Sequence, residues 1–359
     1  MICCIDCFKD IEIRAAIEMA NHRGNCPICQ KENTWIYDSE KDADKINIEE
    51  LIDSILELYV PESELPISFP EEEKMLIEDR LLKDWDIFAG NPTEVKQIIS
   101  MHVSESLELT SKIIIERVGI PQLFDETYLE NNSIMRKYNW EIFKKCLRNE
   151  NRFHSNKYIN LEILETILKE TETIIPSGTK FYRARVADKK GHLRKEMWAP
   201  PDDVASPGRV NSKGQSCLYL CSHKKTTVKE IRAHAFDYVT IATFRLERNV
   251  RVLDLSSIIH SSPFYSETNK INYLLNETTL RQIQYDLAKP MSRLDSELDY
   301  LPTQYISDFA KFLGYDGVKY FSTFNRESYN VALFKSDACK CTYHRNFLIG
   351  DLEYKMSIV

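Results

Sequence analysis

Lys180-Phe181-Tyr182-Arg183-Ala184-Arg185-Val186 is the stretch whose reading decides the fold, together with the short apolar runs that follow it. Each run is a few residues long, rich in β-branched and aromatic side chains, and bounded by Gly, Pro, Asn or Ser, which is the pattern of strands. Strands are predicted over Lys180–Val186, Cys217–Cys221, Tyr238–Leu246, Val250–Leu255, Val318–Ser322 and Asn330–Lys335. Helical stretches fall around Thr226–Phe236 and Gln304–Leu313, the latter stopped by Gly314. With Ile175-Pro176-Ser177-Gly178 as its opening punctuation, residues 173–359 read as an α+β domain around a split sheet.

Upstream the period changes from two to three and four. Ile48, Leu51, Ile52, Ile55 and Leu56, then Leu76, Leu81, Leu82, Trp85 and Phe88, recur at helical spacing, so helices are predicted over Asn47–Tyr59 and Glu71–Phe88. Pro61, Pro66 and Pro70 separate them. A third helical segment runs from Thr93 to Arg117 and stops at Gly119-Ile120-Pro121, with further helices over Trp140–Asn149 and Leu161–Lys169. Residues 46–172 therefore read as an all-α domain.

The first 45 residues are set apart by cysteine. Five of the ten cysteines fall within 29 residues, and Cys4-x2-Cys7 and Cys26-x2-Cys29 have the spacing of a four-cysteine zinc site. Cys3 is an alternative to Cys4, and His22 a substitute ligand. Four thiolates complete a tetrahedron and leave no open position, so the expected role is structural. The chain thus reads as multidomain, with a zinc-binding module (residues 1–45), a helical domain (46–172) and a catalytic domain (173–359).

Composition narrows the function. Of 359 residues only 10 are glycine, which argues against glycine-rich phosphate loops. The net charge of −8 opposes broad coating of nucleic acid. No apolar run approaches the roughly 20 residues that cross a bilayer, and the first residues lack the layout of a signal peptide, so a soluble cytoplasmic protein with no membrane partner is expected.

The chemistry concentrates after residue 173. Arg183 and Arg185 on a strand and Arg209 in a Pro/Gly-rich loop supply guanidiniums that bind phosphates bidentately if they converge. Tyr219 offers a ring for stacking on a heteroaromatic group. Glu230 on the following helix supplies a carboxylate able to steady positive charge on a sugar during glycosidic cleavage, and Ser322, at a strand end, a hydroxyl for the nucleotide. Cys339-x-Cys341-x2-His344 reads as chance spacing on a surface tail.

At these residues the chain resembles the RES family. Tyr182-Arg183, Ala199-Pro200-Pro201, Gly208-Arg209-x-Asn211-x2-Gly214, Leu218-Tyr219-Leu220 and Thr227-x2-Glu230 follow in the family's order. Val252-Leu253-Asp254-Leu255, Tyr300-x2-Thr303-Gln304-Tyr305, Gly314-Tyr315-Asp316-Gly317-Val318-x-Tyr320-x-Ser322 and Asn330-Val331-Ala332-Leu333-Phe334 continue it. The resemblance implies an ADP-ribosyltransferase-like fold that consumes NAD by hydrolysis, phosphorolysis or transfer, as a bacterial toxin or anti-phage defence effector. It implies catalytic positions at Arg183, Arg209, Tyr219, Glu230 and Ser322, with Tyr182, Asn211 and Asn330 as nucleotide-binding residues. NAD is then substrate, structural zinc the expected metal, and an antitoxin or regulatory protein and a second copy of the chain are the expected protein partners.

Arg148-Asn149-Glu150-Asn151-Arg152-Phe153-His154 resembles the motif of HEPN-type helical domains, some of which are metal-independent ribonucleases. That resemblance implies phosphate binding by Arg148 and acid–base work by His154, with RNA as partner. The alternatives to an NAD-consuming enzyme are therefore a ribonuclease acting through Arg148 and His154, and a catalytically inactive nucleotide-sensing module.

Overall fold

A computed structural model describes residues 1–42, 47–103, 108–256, 262–264, 269–289 and 296–350. The expected domain boundary at 45/46 and the middle of the predicted 93–117 helix lie outside the described residues. By internal contacts the chain forms two compact units, Met1–Lys137 with Ser261–Glu277, and Tyr138–His260 with Thr278–Val359.

In the first unit β1 (Ile2–Cys4), β2 (Arg23–Gly24) and β3 (Thr34–Asp38) make an antiparallel sheet in the order β1-β3-β2. Helix α1 (Ile11–Ala20) starts because the Asp10 carboxylate accepts from the amides of Glu12 and Ile13, both at 3.0 Å, and ends at Asn21 in the left-handed region. After the single turn α2 (Ser39–Asp42) come α3 (Ile48–Leu56), α4 (Ile77–Asp84), α5 (Pro92–Val103), α6 (Glu108–Ile115) and α7 (Glu126–Asn132), with β4 (Val60–Pro61) pairing β5 (Val118–Gly119). The second predicted helix is thus shorter than its apolar period, since Glu71–Glu73 forms a 3-10 turn and Trp85 is extended. Gly119 lies in β5 rather than at a helix end, where a Cβ would meet the Phe69 ring at 2.3 Å. Cys3, Phe8, Ile13 and Ile17 of the cysteine-rich segment share one core with Ile48, Ile52, Leu81 and Ile98 of the helices.

The second unit holds α8 (Trp140–Asn149) and α9 (Leu161–Glu170), predicted from the sequence to within a residue, and an eight-stranded sheet. Its strands are β6 (Glu172–Ile175), β7 (Lys180–Ala187), β8 (Leu218–Cys221), β9 (Tyr238–Leu246), β10 (Val250–Asp254), β11 (Gly317–Ser322), β12 (Asn325–Leu333) and β13 (Cys339–Leu348), in the order β13-β9-β7-β8-β12-β11-β10-β6. Helix α10 (Lys224–Glu230) follows β8. Between β10 and β11 run α11 (Lys270–Ala288), whose residues to Glu277 count with the first unit, and α12 (Leu301–Phe312). That long connection is what β10 and β11 require, because they pair in parallel while every other pair in the sheet is antiparallel.

The sheet core contains Phe181, Leu218, Leu220, Phe244, Val252 and Val331. The segment read as a surface tail is instead β13, pairing β9 from Cys339↔Leu246 to Leu348↔Tyr238 with both Cys339 and Cys341 buried. Its alternation is broken by a register shift between Cys341 and Tyr343, which hides the two-residue period from the sequence. No described helix is long and apolar enough to cross a membrane.

Gly317, where the parallel and antiparallel ladders of β11 meet, is the tightest backbone approach in the sheet: a Cβ there would sit 2.2 Å from the Ala332 carbonyl oxygen. Gly317→Ala is expected to lower unfolding free energy by about 2 kcal/mol, read from the denaturant midpoint at unchanged slope.

Candidate active-site cleft and cysteine cluster

β7 and β8 share a single ladder pair, Tyr182↔Cys221. Beyond it the Arg183 side chain stands where the next backbone bonds would form, and its Nη1 donates to the Tyr219 carbonyl at 3.2 Å. A cleft of about 640 Å³ opens along this split, lined among others by Arg183, Arg209, Tyr219, Glu230, Tyr320 and Asn330. Burial, and secondarily the neighbouring Arg185, pull the Arg183 pKa down to about 10, still far above neutrality, so the guanidinium stays charged. Its Nε is buried without a hydrogen-bond partner, and no carboxylate among the described residues pairs with it. A half-buried cation with a buried, unused donor at the wall of a cleft suits an anionic ligand.

Arg209 is presented by the turn Gly208–Asn211, closed by the Gly208 amide on the Asn211 carbonyl at 2.9 Å. Three neighbours hold this turn. Gln304 Nε2 donates to the carbonyls of Gly208 (2.7 Å) and Asn211 (2.9 Å). Thr303 Oγ1 donates to the Arg209 carbonyl at 2.6 Å. Tyr219 Oη donates to Asn211 Oδ1 at 2.6 Å and accepts from the Val210 amide at 3.2 Å. Gly208 has to be glycine, since a Cβ would meet Tyr219 Oη at 2.4 Å and Asn211 Oδ1 at 2.6 Å. Arg209 Nη1 also donates to the carbonyls of Leu287 (2.8 Å) and Ala288 (3.1 Å), which lie at the end of α11 where intrahelical donors run out.

Glu230 ends α10 with one oxygen fully engaged. Its Oε1 accepts from Ser322 Oγ at 2.7 Å and from Asn330 Nδ2 at 2.8 Å, leaving Oε2 with no protein donor among the hydrogen bonds of the described residues. Ser322 is buried at a register shift between β11 and β12, which turns its hydroxyl toward the carboxylate. Burial pushes the hydroxyls of Tyr219 and Tyr320 well above the usual phenol range, so both remain neutral donors.

Of the residues singled out from the sequence, Arg183, Arg209, Tyr219, Glu230 and Asn330 line this one cleft, and Ser322 reaches it through Glu230. Tyr182 and Asn211 do not line it. The Tyr182 carbonyl accepts from Thr227 Oγ1 at 3.5 Å. Asn211 is spent inside its turn, its Nδ2 donating to the carbonyls of Ser206, Ser212 and Gln215 at 2.9, 3.2 and 2.9 Å. Thr303 and Gln304, in the sequence only members of a motif, are the positioning residues of the Arg209 turn. Arg148 and His154 lie outside the cleft: the Arg148 guanidinium pairs with the Asp299 carboxylate, and His154 is exposed in the loop after α8, its amide donating to Asn151 Oδ1 at 2.9 Å.

In the first unit Cys4, Cys7, Cys26 and Cys29 bring their sulfurs within 4.8 Å of one another. Neighbouring pairs stand at 3.4 Å (Cys4–Cys29), 3.6 Å (Cys7–Cys26) and 3.7 Å (Cys4–Cys7). Metal–sulfur bonds of about 2.3 Å in a tetrahedron require sulfur separations of about 3.8 Å, so the donor set fits zinc. Backbone amides also point at the sulfurs, that of Asp6 at Cys4 and those of Ile28 and Cys29 at Cys26. Cys3 is fully buried outside the cluster, and His22 faces Asp42 with Nδ1 3.6 Å from Oδ2, so neither joins it.

Gln304→Ala would orphan the Gly208 carbonyl and leave that of Asn211 with only the closing bond of the turn, and a loss of about 2 kcal/mol is expected. Thermal unfolding would show it as a Tm several degrees lower, with Gln304→Glu lower still, because its carboxylate would set acceptors against the same carbonyls.

No curated protein matches the chain. A chain in the crystal structure of the M. tuberculosis MbcT–MbcA toxin–antitoxin complex aligns with 51% of this chain and 91% of its own length, at 14% identity and a TM-score of 0.33. Residues 180–355, which carry the whole cleft, match the family model of the RES domain.

Proposed function

We propose that the C-terminal unit is an NAD-consuming enzyme that breaks the nicotinamide–ribose bond, passing ADP-ribose to water, phosphate or an acceptor side chain. One observation carries the reading: a carboxylate with one oxygen pinned by two donors and the other unengaged, in a cleft with unpaired arginines, within a RES domain. Arg183 and Arg209 would hold the pyrophosphate, and Tyr219 would flank the nicotinamide end. Glu230 Oε2 would accept the 2′-hydroxyl of the ribose.

In that pose the C1′–N bond breaks with its electron pair going to the nicotinamide ring nitrogen, so the leaving group departs neutral and the positive charge moves to the sugar. The fixed carboxylate stabilises this charge where it develops. The incoming oxygen then bonds to C1′ and loses its proton to solvent. Ser322 and Asn330 act through Glu230 by holding its rotamer, which saves reorganisation at the moment of bond breaking.

Depletion of NAD suits a bacterial toxin or anti-phage defence effector restrained by an antitoxin or regulatory protein. The chain would work in three parts, a structural zinc module, a helical region and this catalytic unit. Zinc held by Cys4, Cys7, Cys26 and Cys29 would supply folding energy and no step of the reaction.

Glu230→Gln keeps the size of the side chain and its acceptor for Ser322 and Asn330, but replaces the charged oxygen facing the cleft by a neutral donor. Nicotinamide release from NAD is expected to fall by at least about 100-fold, with ADP-ribose affinity, followed by calorimetry, little changed. Equal rates for the two proteins would refute the assignment. Elemental analysis is expected to find one zinc per chain, lost in Cys26→Ser together with much of the cooperative unfolding of the first unit.

A further inference from the structure

The cleft carries more positive charge than the reaction proposed for it uses. Arg183, Arg185, Arg209 and Arg232 all line it, against the single lining carboxylate of Glu230. The two negative charges of a dinucleotide pyrophosphate match Arg183 and Arg209, and Glu230 faces the cationic nicotinamide end. Arg185 and Arg232 are left over.

Both leftover arginines are exposed, whereas Arg183 and Arg209 are half-buried, so the surplus charge sits at the mouth of the cleft. Arg185 follows Arg183 by two residues on β7 and shares its face of the strand. Its Nη1 donates only to a backbone carbonyl, that of Glu196. Arg232 comes two residues after Glu230 in the left-handed region, at φ 51°, with its amide closing the end of α10 on the Lys229 carbonyl at 3.0 Å. That conformation costs a side-chain-bearing residue about 1 kcal/mol, and glycine or asparagine is the unstrained choice. Ile231 and Ala233 on either side pack with Ala184, on the face of β7 opposite Arg183 and Arg185, so Arg232 joins those two arginines through the lining of the cleft. No carboxylate among the ion pairs of the described residues neutralises Arg185 or Arg232.

We propose that Arg185 and Arg232 form a phosphate-monoester subsite at the mouth of the cleft. The inference rests on the dinucleotide reading above and deepens it, because it makes the preferred ligand one with a third phosphate. Two guanidiniums match the nearly two negative charges of a monoester near neutral pH, each able to bind it bidentately. The monoester can arrive on the nucleotide, as in a 2′-phosphorylated dinucleotide, or as inorganic phosphate bound beside it.

Calorimetry on the full chain separates these sources, using ADP-ribose, ADP-ribose 2′-phosphate, and ADP-ribose with added inorganic phosphate, for the wild type and for Arg232→Gly. Glycine relieves the left-handed strain, so a Tm at or above that of the wild type certifies the fold. The wild type is expected to bind the 2′-phosphorylated ligand about ten-fold more tightly than ADP-ribose, a ratio that falls to near one in the variant. If inorganic phosphate tightens ADP-ribose binding in the wild type and not in the variant, the subsite stands and its source is free phosphate. Binding of ADP-ribose with neither discrimination nor phosphate dependence overturns the subsite alone, whereas no binding of ADP-ribose overturns the dinucleotide reading and the subsite with it.

Discussion

A β-sheet hydrogen-bonds its strands continuously, and a gap in the ladder leaves donors and acceptors that something else must satisfy. Between β7 and β8 the ladder stops after Tyr182↔Cys221, and the Arg183 guanidinium takes over by donating to the Tyr219 carbonyl. The cleft exists because of this substitution. The same side chain that props the split open also lends the cleft its deepest positive charge, so architecture and electrostatics have one origin.

Around that split the polar residues fall into two rigid assemblies. One is the Gly208–Asn211 turn, where the carbonyls of Gly208, Arg209 and Asn211 are taken by Thr303 and Gln304 of α12 and by the turn's own closing bond. The other is Glu230 with Ser322 and Asn330, drawn from α10, β11 and β12. In both, buried donors are spent on fixing the group that faces the cleft. Nothing in either assembly has to reorganise when charge develops on a bound ligand, and that is the form electrostatic catalysis takes. Tyr219 ties the turn to the split itself, since its carbonyl receives Arg183 while its hydroxyl bonds Asn211.

Elements with a clean period were legible in the sequence. The strand Tyr238–Leu246 and the helices beginning at Trp140 and Leu161 follow their apolar patterns closely, because one face of each is buried and the other is not. Where the pattern is broken the element is not legible in the sequence. β13 was hidden by its register shift, and β6 by its four-residue length. Helix α11 has no sharply apolar face and was missed as well. The four-cysteine spacing was legible because it is local, yet the choice of Cys4 over Cys3 and the exclusion of His22 depended on side-chain direction, which spacing does not encode.

By itself the sequence determined the α+β character of the C-terminal half, the cysteine clip and the identities of the charged residues, since hydrophobic period and motif order are properties of the chain. Only the tertiary structure decided what those residues do to one another. Asn211 and Glu230 were equally polar in the sequence, but one is consumed within a turn and the other keeps an oxygen for the cleft. Arg232 was an unremarked arginine until its left-handed backbone and its place at the cleft gave it a role to test. The physical reason is the same in each case: a side chain's chemistry is set by which donors, acceptors and charges surround it, and most of those come from residues distant in the chain.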